Sequence, residues 1–130
     1  MARTELFVAA LAALMITTTS GAYAGSESNT TQHGRNNHSD VKQNGNGNVA
    51  VHGQAGSNNQ AKTRQTGRGN LSAVSQIGRG HRSSTKQDGK RNASSVHQHG
   101  SGREHQRTVQ TGRGNVSITV QTNSRSRRSR

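Results

Sequence analysis

Glutamine returns in this chain at a fixed interval. Gln32, Gln43, Gln54, Gln65, Gln76, Gln87 and Gln98 lie 11 residues apart, and after one additional residue Gln110 and Gln121 resume the count. Every Gln of this series from 32 to 110 is followed two positions later by glycine, at Gly34, Gly45, Gly56, Gly67, Gly78, Gly89, Gly100 and Gly112. Five positions after most of them stands asparagine, at Asn37, Asn48, Asn59, Asn70, Asn92 and Asn115, with His81 and Arg103 as the departures. A repeat this short and regular constrains the architecture, because each unit has to be one small element stacked on its neighbours.

Each unit divides into a strand and a turn. From Asn to the next Gln, alternation with period two puts Asn48, Ala50, His52 and Gln54 on one face, then Asn59, Ala61, Thr63 and Gln65, then Asn70, Ser72, Val74 and Gln76. The middle of this face is small or β-branched and its ends are amides, which suits a thin interior with a polar ladder along each edge. Side-chain amides in register both donate and accept, so they bond between neighbouring strands as the backbone does. An amide left without partners in such an interior costs roughly 1–3 kcal/mol. The expected ladder residues are Asn37, Gln43, Asn48, Gln54, Asn59, Gln65, Asn70, Gln76, Gln87, Asn92, Gln98, Gln110, Asn115 and Gln121. Four residues separate Gln from Asn, and the glycine second among them supplies the positive φ that a tight β-arc needs.

The other face has twice the period. Val49, Val51, Leu71, Ala73, Ala93, Val116, Ile118 and Val120 fall outward in alternate units; His38, Lys42, Lys62, Arg64, Arg82, Lys86 and Arg107 fall outward in those between. Two units therefore make one strand–turn–strand–turn repeat of 22. The expected fold is all-β: a flat two-sheet parallel β-solenoid, amyloid-like, period 22 and half-period 11, with rungs about 4.7–4.8 Å apart. A right-handed helical coil also has an 11-residue period. Glycine in every unit, at about 1 kcal/mol each in a helix, and the lack of a continuous apolar stripe exclude it.

Only 25% of the chain is hydrophobic and 2% aromatic, a composition that without the repeat would read as disordered. There is no Cys, so thiolate and disulfide chemistry are excluded. The net charge of +13 points to anionic surfaces or matrix polymers as partners. Residues 1–24 read as a secretory signal peptide: Arg3, an apolar run from Leu6 to Ile16 too short to span a membrane, and Ala22-Tyr23-Ala24 for cleavage. Residues 25–123 form the repeat region and 124–130 a basic, disordered tail. Removing residues 1–24 takes away Arg3 and Glu5, leaving 17 Lys+Arg against 4 Asp+Glu and the same +13.

Nothing in the pattern speaks for an enzyme. No Ser/His/Asp grouping stands apart from the repeat, and His97, His99 and His105 fit no standard metal spacing, so no catalytic residue, metal or cofactor is expected. Sequons at Asn37, Asn70, Asn92 and Asn115 follow from Asn and Ser sharing a strand face.

The unit Gln-x-Gly-x-x-Asn-x-Ala/Ser-x-x-x-Gln resembles the curlin repeat of bacterial curli fibre subunits. It is seen at Gln43-Asn44-Gly45-Asn46-Gly47-Asn48-Val49-Ala50, closed by Gln54, and at Gln65-Thr66-Gly67-Arg68-Gly69-Asn70-Leu71-Ser72, closed by Gln76. Ser26 with Gln32 fits the half-unit that often opens a curlin repeat. The resemblance implies a secreted structural subunit that polymerises into amyloid fibres at the cell surface, for adhesion and biofilm matrix. It implies as partners further copies of itself, other curlin subunits, and the curli export and assembly machinery. Both major and minor, nucleating subunits exist in the family. The basic end from Arg125 to Arg130 is similar to the minor kind, and the long Gly-rich segment usual before the first repeat of major curlins is missing after Gly25.

The alternative from another class is a secreted, basic, disordered polyanion-binding protein. Arg-Gly pairs at 68–69, 79–80 and 113–114 fit it. Tyr23 and Phe7 both fall in the leader, so stacking aromatics are lacking and specific nucleic-acid binding is not expected.

Overall fold

The computed structural model describes residues 25–123; the expected signal peptide and basic tail lie outside the described residues. Strands follow one another without a helix: β1 (Glu27–Arg35), β2 (His38–Asn46), β3 (Val49–Ser57), β4 (Gln60–Arg68), β5 (Leu71–Arg79), β6 (Arg82–Lys90), β7 (Ala93–Ser101), β8 (His105–Arg113) and β9 (Val116–Asn123). Odd strands form one parallel sheet in the order β1-β3-β5-β7-β9, and even strands a second in the order β2-β4-β6-β8. The chain thus alternates between two sheets and gains one rung every two strands. Gln32 pairs with Gln54 and Gln43 with Gln65, the 22-residue period, and the two-sheet parallel β-solenoid expected from the pattern is what the chain forms.

The strands differ from expectation in their limits. They begin one residue after the Asn position, and β1 to β8 run three residues past Gln, through the glycine. The reason is that the ladder continues around the bend. Gly67 pairs in register with Gly45 and Gly89 while holding φ at 116°. A Cβ there would lie 2.9 Å from the Gly89 carbonyl carbon and overlap its oxygen, so backbone conformation and the next rung exclude any side chain together. The turn proper shrinks to two residues, and its amides stay paired: Gly69 N–H donates to Asn46 O at 3.0 Å. A second column of positive φ follows the first, at Asn36, Gly47, Asn58, Gly69, Gly80, Arg91 and Gly114. In its first half this column alternates Asn and Gly, at Asn36, Gly47, Asn58 and Gly69, a signal that the Gln–Gly repeat does not contain.

The interior is thin and mostly polar. Among the described residues Ala50, Ala61, Val74 and Val96 are the buried apolar side chains, with Val41 half-buried beside them, whereas Asn, Gln, Ser, Thr and His fill most of the remaining inward positions. The inward face matches the expected one. The apolar outward residues of the odd sheet stay uncovered, with Val116, Ile118 and Val120 all more than two-thirds exposed. Val109 is an exception on the basic even sheet, 54% exposed.

The one additional residue is absorbed in a turn. Gly102, Arg103 and Glu104 join β7 to β8, so Arg82 pairs with His105, 23 positions on. The irregular unit is a longer loop, and both glutamine ladders pass it intact.

Candidate functional site: the amide ladders

Glutamine forms two ladders, one per sheet. In the odd sheet the Nε2 of Gln32 donates to Oε1 of Gln54 at 2.7 Å. Gln54 to Gln76, Gln76 to Gln98 and Gln98 to Gln121 follow, each at 2.8 Å. In the even sheet Gln43, Gln65, Gln87 and Gln110 are joined in the same way, again at 2.8 Å per step. The second Nε2 proton crosses the sandwich to a backbone carbonyl at the start of a facing strand. Gln65 reaches Val49 O at 3.0 Å, Gln76 reaches Gln60 O at 3.0 Å and Gln87 reaches Leu71 O at 2.9 Å. Each interior Gln therefore ties its own rung to the next and one sheet to the other. Gln32, left out of the expected ladder set, is its first member.

The ladders have a direction. Every Gln donates toward the C-terminal end of the stack, so Gln32 and Gln43 present Oε1 at one end. Gln121 presents Nε2 at the other. Asparagine runs the opposite way: the backbone N–H of Asn70 donates to Asn48 Oδ1, and that of Asn92 to Asn70 Oδ1, both at 3.1 Å. Asn115 N–H closes on Asn92 Oδ1 at 3.1 Å, and Asn59 N–H on Asn37 Oδ1 at 3.2 Å. Asn70 Nδ2 also holds the arc, bonding Thr66 O at 3.1 Å and Gly89 O at 3.2 Å.

His81 stands in the even Asn column and reproduces half of that pattern. Its Nε2 faces two carbonyls, Ile77 O at 3.2 Å and Gly100 O at 3.0 Å, so it carries the proton, as Asn Nδ2 would. The acceptor half is not matched. The longer loop puts Glu104, not Arg103, next in the column, and His81 Nδ1 lies 3.8 Å from Glu104 Oε2. Both atoms are buried without a hydrogen bond.

A hydroxyl–imidazole chain that the repeat pattern does not reveal runs through the interior. Thr30 Oγ1 meets Ser39 Oγ at 3.3 Å, and Ser39 Oγ meets His52 Nδ1 at 2.7 Å. His52 Nε2 meets Thr63 Oγ1 at 2.7 Å, which meets Ser72 Oγ at 3.1 Å. Burial holds the His52 pKa down at about 4, against an opposing pull from the Asp40 carboxylate. Beyond this point Val74 and Val96 occupy the column, and the hydroxyls of Ser83, Thr85 and Ser94 are buried without partners.

No group of three or more His, Cys, Asp or Glu that could hold a metal occurs among the described residues. The described ion pair between side chains of fixed charge is Lys62 with Asp40, at 3.6 Å on the surface. What the arrangement offers is a continuous set of hydrogen-bonding ends.

A family model, the curlin associated repeat, matches residues 56–89. That span holds β4, β5 and most of β6 and carries the same columns as the rungs on either side. No curated protein and no solved structure matches the chain significantly.

Proposed function

We propose that this chain, which belongs to the curlin family by its repeats, is a secreted subunit that stacks end to end into cell-surface fibres for adhesion and matrix. A curli-type structural subunit is what the repeat and the solenoid fit. One observation carries the stacking: the two ends of the described solenoid are complementary. One end offers the open edge of β1 and β2 with the acceptor atoms of Gln32 and Gln43. The other offers the open edge of β8 and β9 with the donor of Gln121 and the remaining Nε2 proton of Gln110. Head-to-tail contact continues both glutamine ladders, whereas head-to-head contact sets like atoms against each other. The interior faces of the end strands are also incompletely covered: all of β1 is exposed, and the inward Ser117, Thr119 and Gln121 of β9 are half-buried.

With four buried apolar side chains among the described residues, a lone chain has little to offset its ordering entropy. Folding and stacking are then coupled, with a slow nucleus and templated growth. The basic end of the sequence favours a nucleating role over that of bulk subunit, and the basic outward residues favour anionic matrix partners. The test is thioflavin fluorescence over time on freshly desalted Gly25–Arg130, with and without sonicated seeds. A lag removed by seeds is expected, and trace amounts shortening the lag of another curlin mark a nucleator. Protein that stays soluble and strand-free at high concentration overturns the proposal in favour of the disordered binder.

A further inference from the structure

The longer turn between β7 and β8 does more than absorb a residue. It borders a concave region of about 930 Å³ whose wall includes Arg79, Arg82, Arg103 and His105, with Gly80 and Gly102 at its base. These residues come from three different turns and strands: Arg79 ends β5, Arg82 begins β6, and Arg103 and His105 flank the start of β8. Arg103 exists at this place because of the insertion. In a two-residue turn no residue would stand between Gly102 and the Asn-column position that Glu104 fills. The stem of Arg103 lies back over the previous rung, where its Cγ is 3.5 Å from the point a Cβ on Gly80 would occupy.

The cluster has no acidic counterpart. Glu104, the carboxylate nearest in sequence, turns inward toward His81 and its side chain is only 13% exposed. Among the described residues no salt bridge reaches Arg79, Arg82 or Arg103, while Lys62 and Asp40 neutralise each other elsewhere on the even sheet. Three guanidinium groups around one hollow, free of carboxylate, form a site for an oxyanion carrying more than one negative charge, because arginine forks bind phosphoryl oxygens two at a time. The opposite edge of the solenoid provides the contrast. There Arg68, Lys90, Arg91 and Arg113 line a regular basic groove of about 590 Å³, built without the insertion.

We propose that the β7–β8 turn builds a binding site for a phosphoryl group, held by Arg79, Arg82 and Arg103. The residues of the site belong to a single chain, and binding is read only on protein whose β-structure has been established. Loss of binding with β-structure intact is therefore distinct from a failure to polymerise.

The test is calorimetric titration of the folded chain Gly25–Arg130, in whatever assembly state it holds, with inorganic phosphate. Circular dichroism establishes the β-structure of every variant. Saturable binding is expected, with affinity reduced at least tenfold in R79S/R103S and less than twofold in R68S/R113S, which removes the same two charges from the other edge. R79K/R103K keeps the charge and loses the paired donors, and is expected to weaken binding several-fold. Phosphatidate vesicles against phosphatidylcholine vesicles then identify the source. Competition between phosphate and phosphatidate assigns a lipid-borne group, and binding of phosphate alone assigns a soluble one. Equal losses in the two serine pairs, vesicle binding without phosphate binding, or no saturable binding by β-structured protein each overturn the site. So does a chain lacking β-structure, because the pocket depends on the rungs.

Discussion

Replacing Gln76 with alanine tests the ladder at its most enclosed point. Gln76 is fully buried. It accepts from Gln54 Nε2 at 2.8 Å, donates to Gln98 Oε1 at 2.8 Å and donates to Gln60 O at 3.0 Å. Alanine strands all three partners, and Gln54 and Gln98 are themselves buried, at 2% and 1% exposure. Each orphaned group costs roughly 1–3 kcal/mol, and the costs do not simply add because the rungs relax. A total of about 4 kcal/mol follows, to which the cavity adds. Where folding and stacking are coupled, this loss appears as the soluble concentration left when assembly has reached equilibrium. At 1.4 kcal/mol per tenfold, that concentration rises on the order of a thousandfold. Sedimentation of matured fibres and quantification of the supernatant reads it directly. Thr111→Ala, at an exposed outward position on β8, is the control and stays within about twofold. A rise of less than tenfold for Gln76→Ala refutes the view that the amide ladder holds the rungs together.

Thr85→Val removes a buried hydroxyl without a partner and keeps the shape, so denaturant midpoints or residual solubility show stabilisation by about 1 kcal/mol. Arg91 holds φ at 56°, a conformation costly for a side chain of its kind, and Arg91→Gly stabilises by about 1 kcal/mol in the same assay. For His52, the unfolded chain binds a proton near pH 6.5 and the folded chain only near pH 4, so stability is full above pH 6.5 and falls as pH drops through that window. The loss approaches about 3 kcal/mol by pH 4, and His52→Val, which continues the Val74–Val96 column, flattens that part of the pH profile. Neutralising Arg68 and Arg113, which flank Lys90 in one column along an exposed edge, shortens the assembly lag, and added salt does the same to the parent chain.

Much of the fold was legible because a thin solenoid leaves little freedom. Once Gln and Gly recur every 11 residues, period two fixes the inward face. Alternation between Val49/Leu71/Val116 and Lys42/Arg64/Lys86 on the outer face then reveals two sheets. The strand limits were not legible, because the glycines bend the backbone while remaining paired, so a residue that reads as a turn in one chain is a ladder member in the stack. The direction of the ladders is set by how each Gln divides its two Nε2 protons between the next rung and the facing sheet, which composition does not encode. In the sequence His81 is a mere departure from Asn; in the fold its ring reproduces the amide donor, and the loop insertion brings Glu104 opposite its other nitrogen. His52 was equally silent, since its partners Ser39 and Thr63 belong to the other sheet, 13 and 11 residues away.

The central claim is that each chain forms its own stack of 22-residue rungs and that copies continue it end to end. In that arrangement one residue meets its counterpart in the next copy only after a whole chain of rungs, roughly 20 Å along the axis at about 4.7–4.8 Å per rung. In a fibre of single in-register strands the same two atoms would be about 4.8 Å apart. Solid-state NMR dipolar recoupling on fibres carrying 13C only at the Val74 carbonyls reads this distance, since Val74 lies buried in β5 at the middle of the solenoid. The account predicts no coupling from Val74 to its counterpart within 10 Å. A 13C–13C distance near 5 Å would contradict it.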